Sequence, residues 1–197
     1  MTDQPIRVEV LSGSVREGRV GPAVASWFLE QARALPEFDA GLIDLGDYEL
    51  SDRLSANPPA ATGAALAEIT PRLGAADAFV VVTPEYNHSF PASLKTAIDW
   101  HHAEWQGKPV GLVSYGGVSG GLRAAEHLRQ VFAELNATTV RNTVSFHRFS
   151  AKDHGPWDDF GDVGDQDAAT AARALLDQLG WWALALREAR AARPYRA

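Results

Sequence analysis

Short apolar runs alternate along the chain with longer amphipathic stretches. Ile6–Leu11 (IRVEVL) is a β-branched run that stops at Ser12-Gly13-Ser14, which predicts a strand ended by a turn. From Val20 the apolar positions Val20, Val24, Trp27 with Phe28, and Leu35 step by three or four, predicting a helix that Pro36 closes. Phe38–Leu45 reads as a second strand interrupted by Gly41, and Asp47–Gly63, rich in Pro, Ser, Asn and Ala, as a loop. Ala64–Leu73 predicts a weak helix that breaks or ends near Pro71. Ala78–Thr83 (AFVVVT) is continuous, β-branched and too short for a helix, as expected of a parallel strand covered on both faces. After the polar turn Pro84–Pro91, Leu94, Ala97, Ile98 and His101 share one helical face. Pro109–Tyr115 is a fourth strand, and Leu122, Ala125, Leu128, Phe132 and Leu135 mark the helix after it. Thr139–Phe146 alternates Val140, Val144 and Phe146 with polar residues, the pattern of an edge strand. Asp167–Ala191 predicts a final helix with Ala171, Leu175, Leu179, Trp182 and Leu186 on one stripe.

Repeated alternation of strand and helix argues for an α/β fold with a parallel sheet and right-handed crossovers. A five-stranded sheet suits the flavodoxin-like three-layer sandwich, order 2-1-3-4-5, better than the six-stranded dinucleotide fold. Residues 1–197 show no repeat, linker or low-complexity tract, so one domain is expected.

Composition narrows the chemistry. The chain carries 18 Lys and Arg against 25 Asp and Glu, a formal charge of −7, with no basic stripe, and so no nucleic-acid partner is expected. There is no cysteine, which excludes thiolate nucleophiles, Cys-ligated zinc, iron–sulfur clusters and dithiol redox centres. No window reaches the roughly 18 apolar residues of a membrane span. The first residues lack the basic and apolar regions of a signal peptide, so a cytoplasmic location is expected.

In open α/β sheets ligands bind beyond the carboxyl ends of the strands, near the switch in strand order. The junctions after the first, third and fourth strands carry unusual residues, and order 2-1-3-4-5 makes those strands neighbours. Ser12-Gly-Ser-Val-Arg-Glu-Gly-Arg-Val-Gly21 places hydroxyls, glycines, Arg16 and Arg19 before a helix N-terminus, a setting for a phosphate. It is neither a Walker A sequence nor a G-x-G-x-x-G fingerprint. In the second junction, Thr83–Lys95, Pro84 and Pro91 stiffen a loop bearing Tyr86 and Asn87, a rigid wall for a planar heterocycle. The third, Ser114-Tyr-Gly-Gly-Val-Ser-Gly-Gly121, lets backbone amides approach a flat ring.

These three segments, with Leu-Lys-Thr-Ala-Ile-Asp-Trp at 94–100, resemble the NAD(P)H-dependent FMN reductase family, which has the flavodoxin-like fold and includes quinone, azo-dye and chromate reductases. The likeness runs from about residue 6 to about residue 146, and Pro-Glu-Tyr-Asn is its most specific element. It implies that Ser14, Arg16, Arg19 and the amides of Val20 and Gly21 hold the FMN phosphate. Pro84, Glu85, Tyr86 and Asn87 would lie along the isoalloxazine, and Ser114, Gly116 and Gly117 would close its other edge. The chain departs from the family pattern at Arg19, where a hydroxyl residue is common, at Ala92 (glycine) and at Thr96 (asparagine). The implied activity passes a hydride from NADPH or NADH through FMN to a small-molecule acceptor: a quinone, azo compound, metal oxyanion or free flavin. Donor and acceptor would take turns over one flavin face, with no side chain as nucleophile. A homodimer, or a dimer of dimers, is implied as well. The alternative is a flavodoxin-type electron carrier without steady NAD(P)H oxidation; flavodoxins hold phosphate with a hydroxyl-rich loop lacking arginines.

Four other features carry less. His101, His102 and Glu104 lack the spacing of a metal site, and none is expected. Trp100–Trp105 reads as either subunit contact or core edge. Asp153–Asp167 departs from calcium-loop spacing and reads as a solvated loop. Arg187, Arg190, Arg193 and Arg196 read as a cap on the last helix rather than a nucleic-acid patch.

Overall fold

The structure, a computed structural model, describes residues 4–147 and 166–195. Its parallel sheet contains β1 (Ile6–Ser12), β2 (Phe38–Asp44), β3 (Ala78–Pro84), β4 (Pro109–Tyr115) and β5 (Thr138–Phe146), in the order β2-β1-β3-β4-β5. This is the expected flavodoxin-like order. The helices are α1 (Gly21–Arg33), α2 (Ala60–Ala75), α3 (Ala92–Asp99), α4 (Leu122–Glu134) and α5 (Gln166–Ala192), with a short 3-10 turn at Leu45–Asp47.

Strand alternation divides the core. Val8, Val10, Val80, Val82, Val113 and Val144 face α1 and α5, while Leu11, Phe79, Val81, Val110 and Leu112 face α2, α3 and α4. β3 and β4 are buried along their whole length, which is why they read as uninterrupted apolar runs. β5 lies at the edge and buries Val140, Val144 and Phe146, as its alternation predicts. Its pairing with β4 slips between Val110 and Leu112, and the inward residues keep their parity across the slip.

Three expectations change. The helix α2 starts inside the predicted loop and runs through Pro71, because Thr62, Ala65, Ile69 and Leu73 bury a continuous face that holds its last turn. On α5 the buried stripe is Ala168, Ala172, Leu175, Leu176, Leu179 and Ala183, whereas Trp182 and Trp181 are 37% and 65% exposed. The helix comes so close to the sheet here that a Cβ on Gly180 would crowd Phe38 at 3.2 Å, so the inward positions take the small Gly180 and Ala183 rather than an indole. Arg187 and Arg190 do not cap α5; they fold back onto the amino ends of the strands. Arg187 donates to the carbonyls of Gln4 and Pro5 and pairs with the buried Asp77 at 3.3 Å, while Arg190 reaches the Gly107 carbonyl. Arg196 and residues 153–165 of the aspartate-rich stretch lie outside the described residues.

Trp105 resolves as core, fully buried against Phe79 and Phe132, and Trp100 donates to the Ser51 carbonyl. The His101 ring is buried between Thr70 Oγ1 and the Ala97 carbonyl, 3.0 and 2.8 Å away.

Candidate active site

The carboxyl ends of β1, β3 and β4 meet in a cleft of about 190 Å³ lined by Ser14, Arg16, Gly18, Arg19, Val20, Pro84, Glu85, Tyr86, Tyr115, Gly116 and Gly117. A larger hollow of about 420 Å³ lies beyond Val15, between Leu45, Tyr48, Leu50 and Thr62; it takes Ser93 from the second junction and no residue from the loop after β4. Of these two, among the described residues, the first cleft joins all three unusual junctions.

The first loop is tied down on both flanks. The Gly13 amide donates to the Val82 carbonyl at 2.9 Å, and Ser93 Oγ donates to the Gly13 carbonyl at 2.7 Å. Ser14 Oγ lies 3.1 Å from the Tyr86 hydroxyl, joining this loop to the next. Arg16 is exposed, and its guanidinium sits 5.8 Å from the Tyr86 ring centroid, within cation–π range. Arg19 lines the cleft, but its guanidinium is paired with Asp44 and donates to the Ser14 carbonyl at 2.8 Å. Among the described residues no side chain caps the start of α1, where the cap position is Val20 and Pro22 follows Gly21. Gly21 does not line the cleft. It packs under the loop, where a Cβ would sit 2.9 Å from the Tyr115 hydroxyl and 3.1 Å from Ser12 Oγ.

The second loop is a tight reversal. Tyr86 and Ser89 exchange backbone hydrogen bonds of 2.8 and 3.2 Å around Asn87 and His88, both at positive φ. Asn87 therefore sits at the exposed tip, outside the cleft, in a conformation its short amide tolerates. Glu85 is the hub between the second and third loops. Its Oε2 accepts from Ser119 Oγ at 2.7 Å and the Arg123 amide at 3.2 Å, and its Oε1 from Arg123 Nη1 at 3.0 Å. Burial pushes the Glu85 carboxyl up, but the bonds from Ser119 and Arg123 outweigh it and hold the group below the usual carboxylate range.

In the third loop Ser114 is fully buried and does not line the cleft. Its hydroxyl donates to the Gly120 carbonyl at 2.9 Å, which Ser145 Oγ also meets at 2.8 Å. Gly120 and Gly121 carry the positive φ values that turn the chain into α4. Gly116 and Gly117 face the cleft, and around Gly117 a Cβ would meet no atom of the described residues within 4 Å.

Gly18 and Tyr115 also line the cleft, and their sequence signals are weak. Gly18 stands between Glu17 and Arg19 with φ 66°, a turn signal absorbed into the arginine motif. Tyr115 reads from the sequence as the last residue of a strand, and burial pushes its phenol well up.

An FMN group fits this arrangement. The buried hydroxyl of Ser12 has no hydrogen-bond partner among the described residues and lies beneath Gly21 at the uncapped start of α1, a helix end suited to a phosphate. Among the described residues nothing crowds a Cβ on Gly117, and this with the wall of Pro84 to Tyr86 suits a planar ring. Ser14, Arg16 and the α1 start would hold the phosphate end.

Comparison with known proteins agrees. The family model described as NADPH-dependent FMN reductase matches residues 6–151. An NAD(P)H-dependent FMN reductase of Schizosaccharomyces pombe is 37% identical over 127 residues; the match covers 58% of this chain, which spans 60% of that relative's length. The quinone reductase of Escherichia coli is 38% identical over 144 residues, 70% of this chain and 74% of that one. The flavoenzyme NAD(P)H:(acceptor) oxidoreductase of Paracoccus denitrificans superposes with a TM-score of 0.66 at 22% identity, over 88% of this chain and 97% of that one, a likeness of fold. The matched residues contain all three loops of the cleft, and the chain belongs to the NADPH-dependent FMN reductase family, oxidoreductases with FMN as cofactor and NAD(P)H as electron donor.

Proposed function

We propose that the chain is an FMN-dependent reductase that hands electrons from NADPH or NADH to a small second acceptor in a two-stage cycle within one cleft. The acceptor classes we assign are quinones, azo compounds, metal oxyanions and free flavin. The observation that carries this reading is the convergence of the loops after β1, β3 and β4 on a single cleft, to which the first loop brings Arg16 and Arg19 and the third Gly116 and Gly117. When bound, FMN supplies the redox chemistry, taking a hydride from the nucleotide and releasing the electrons to the acceptor.

The protein's part is to bind and orient. Ser14, Arg16 and the amides of Val20 and Gly21 hold the phosphate, and Arg19 borders it. Pro84, Glu85 and Tyr86 form the wall along the ring, with Asn87 shaping the turn that sets it. Gly116 and Gly117 close the opposite edge, and Ser114 fixes their loop from below. Glu85 keeps its charge for Ser119 and Arg123, so it is spent on holding two walls together and not on proton transfer. Family resemblance supports a homodimer or dimer of dimers acting in the cytoplasm, and no described helix is long and apolar enough to cross a membrane.

Titration of flavin-free protein with FMN, followed by anaerobic mixing with NADPH or NADH, tests the reading. Saturable binding and rapid loss of oxidised-flavin absorbance are expected, with recovery on adding a quinone. A protein that binds no FMN overturns the assignment, and one that binds FMN but is not reduced by either nucleotide is a carrier instead.

A further inference from the structure

Arg19 and Arg16 share a loop and differ in what surrounds them. Arg19 Nη1 donates to the Ser14 carbonyl at 2.8 Å and to Oδ1 of Asp44, and the two side chains are only 20% and 12% exposed. Asp44 ends β2, and the same Oδ1 accepts the Gly46 amide at 3.0 Å. The guanidinium fills the space beside Gly46, where a Cβ would overlap it. Arg19 is thus held between the backbone of its own loop and the end of a neighbouring strand. Arg16 stands in the open next to Tyr86.

From this geometry we infer that Arg19 is a positioning residue, latched to Asp44 so as to set the shape of the phosphate loop, and is not itself a ligand of the phosphate. The inference rests on the FMN reading above and refines it. A guanidinium that shares a carboxylate presents little net charge to a third group. Pulling it across to a dianion would strand the shielded Asp44 carboxylate beside like charge, a costly exchange. Arg19 also occupies the Ser14 carbonyl oxygen, the atom of this loop that would repel an anion if it turned toward one. Phosphate charge is then met by Arg16, the Ser14 hydroxyl and the start of α1.

The two roles for Arg19 predict opposite signs for Asp44→Asn. If Arg19 were a ligand restrained by Asp44, removing the carboxylate would free it and tighten FMN binding. With the latch, Asp44→Asn and Arg19→Gln each weaken FMN binding by about fivefold to thirtyfold, the scale of one hydrogen-bonded ion pair. The double variant loses about as much as either single one, since both remove the same link. Riboflavin, which lacks the phosphate, keeps its affinity within about twofold in all three. In flavin-free protein, amides of residues 13–21 exchange faster in Asp44→Asn than in wild type; this readout stands even if Arg19→Gln fails to fold. Unchanged or tighter FMN binding in Asp44→Asn, multiplicative losses in the double variant, or unaltered amide exchange overturns the latch alone. A wild-type protein that fails to bind FMN overturns the FMN reading and the latch with it.

Discussion

Oε1 of Glu85 lies 3.0 Å from Nη1 of Arg123, so the turn after β3 is fastened to the first turn of α4 across the glycine loop. The Glu85 carboxyl is held below its ordinary range, and a group lowered in the folded state adds stability above its unfolded value that is lost as pH falls through the folded one. Glu85→Gln is expected to lower stability near neutral pH by about 1–2 kcal/mol. Its deficit relative to wild type should shrink as the solution is acidified through the carboxylate range. Thermal midpoints of both proteins along a pH series check this.

Arg16→Ala should weaken FMN binding by about 1.5–3 kcal/mol, the range for a charge-assisted hydrogen bond, and leave riboflavin binding nearly unchanged. The variant should fold normally, because the side chain is exposed and its described contact is the face of Tyr86. Fluorescence titration with both flavins measures the difference.

Two glycines of the third loop should separate fold from binding. A Cβ on Gly121, at φ 80°, would sit 2.8 Å from Ser114 Cβ and the Tyr115 nitrogen. Gly121→Ala is therefore expected to cost more than about 2 kcal/mol of stability. Gly117→Ala meets no atom of the described residues and should change stability by less than about 0.5 kcal/mol while reducing flavin affinity. Urea denaturation beside FMN titration distinguishes the two effects.

Buried Lys108 donates to the Leu73 and Gly74 carbonyls at 2.8 and 3.0 Å, closing the end of α2. Burial pushes its ammonium down to about 8 from 10.5, and nearby Arg190 adds to the effect. Between those values the unfolded chain binds more protons than the folded one, so stability rises with pH across that window. The gain is on the order of 3 kcal/mol, and below pH 8 the penalty is constant. Lys108→Met should remove this component, seen as a wild-type minus variant difference that grows from pH 8 to about 10.5.

Much of this architecture is legible in the linear pattern. β3 and β4 are buried on both faces and read as uninterrupted apolar runs, and β5 reads as an edge through Val140, Val144 and Phe146. The three loops stand out because their residues suit turns and ligands better than packing. What stayed hidden depends on partners distant in sequence. Asp44 claims Arg19 from 25 residues away, so the sequence shows two arginines in one loop and not which of them is engaged. Ser114 looks like its neighbours in the motif until its hydroxyl is seen beneath Gly120. The inward side of α5 turns on the close approach at Gly180, where periodicity alone favours Trp182 over Ala183. Pro71 signals a break that burial of Leu73 overrides.

The return of Arg187 to the carbonyls of Gln4 and Pro5 closes a circuit of 183 and 182 residues. Loops of that span form slowly, since their entropy is lost before the contact rewards it. During synthesis the first strand leaves the ribosome long before the helix that fastens it, and waits with its lower edge unpinned. Until α5 docks, the sheet face that Leu175, Leu176 and Leu179 cover stays open, Val8 and Val10 of the first strand with it.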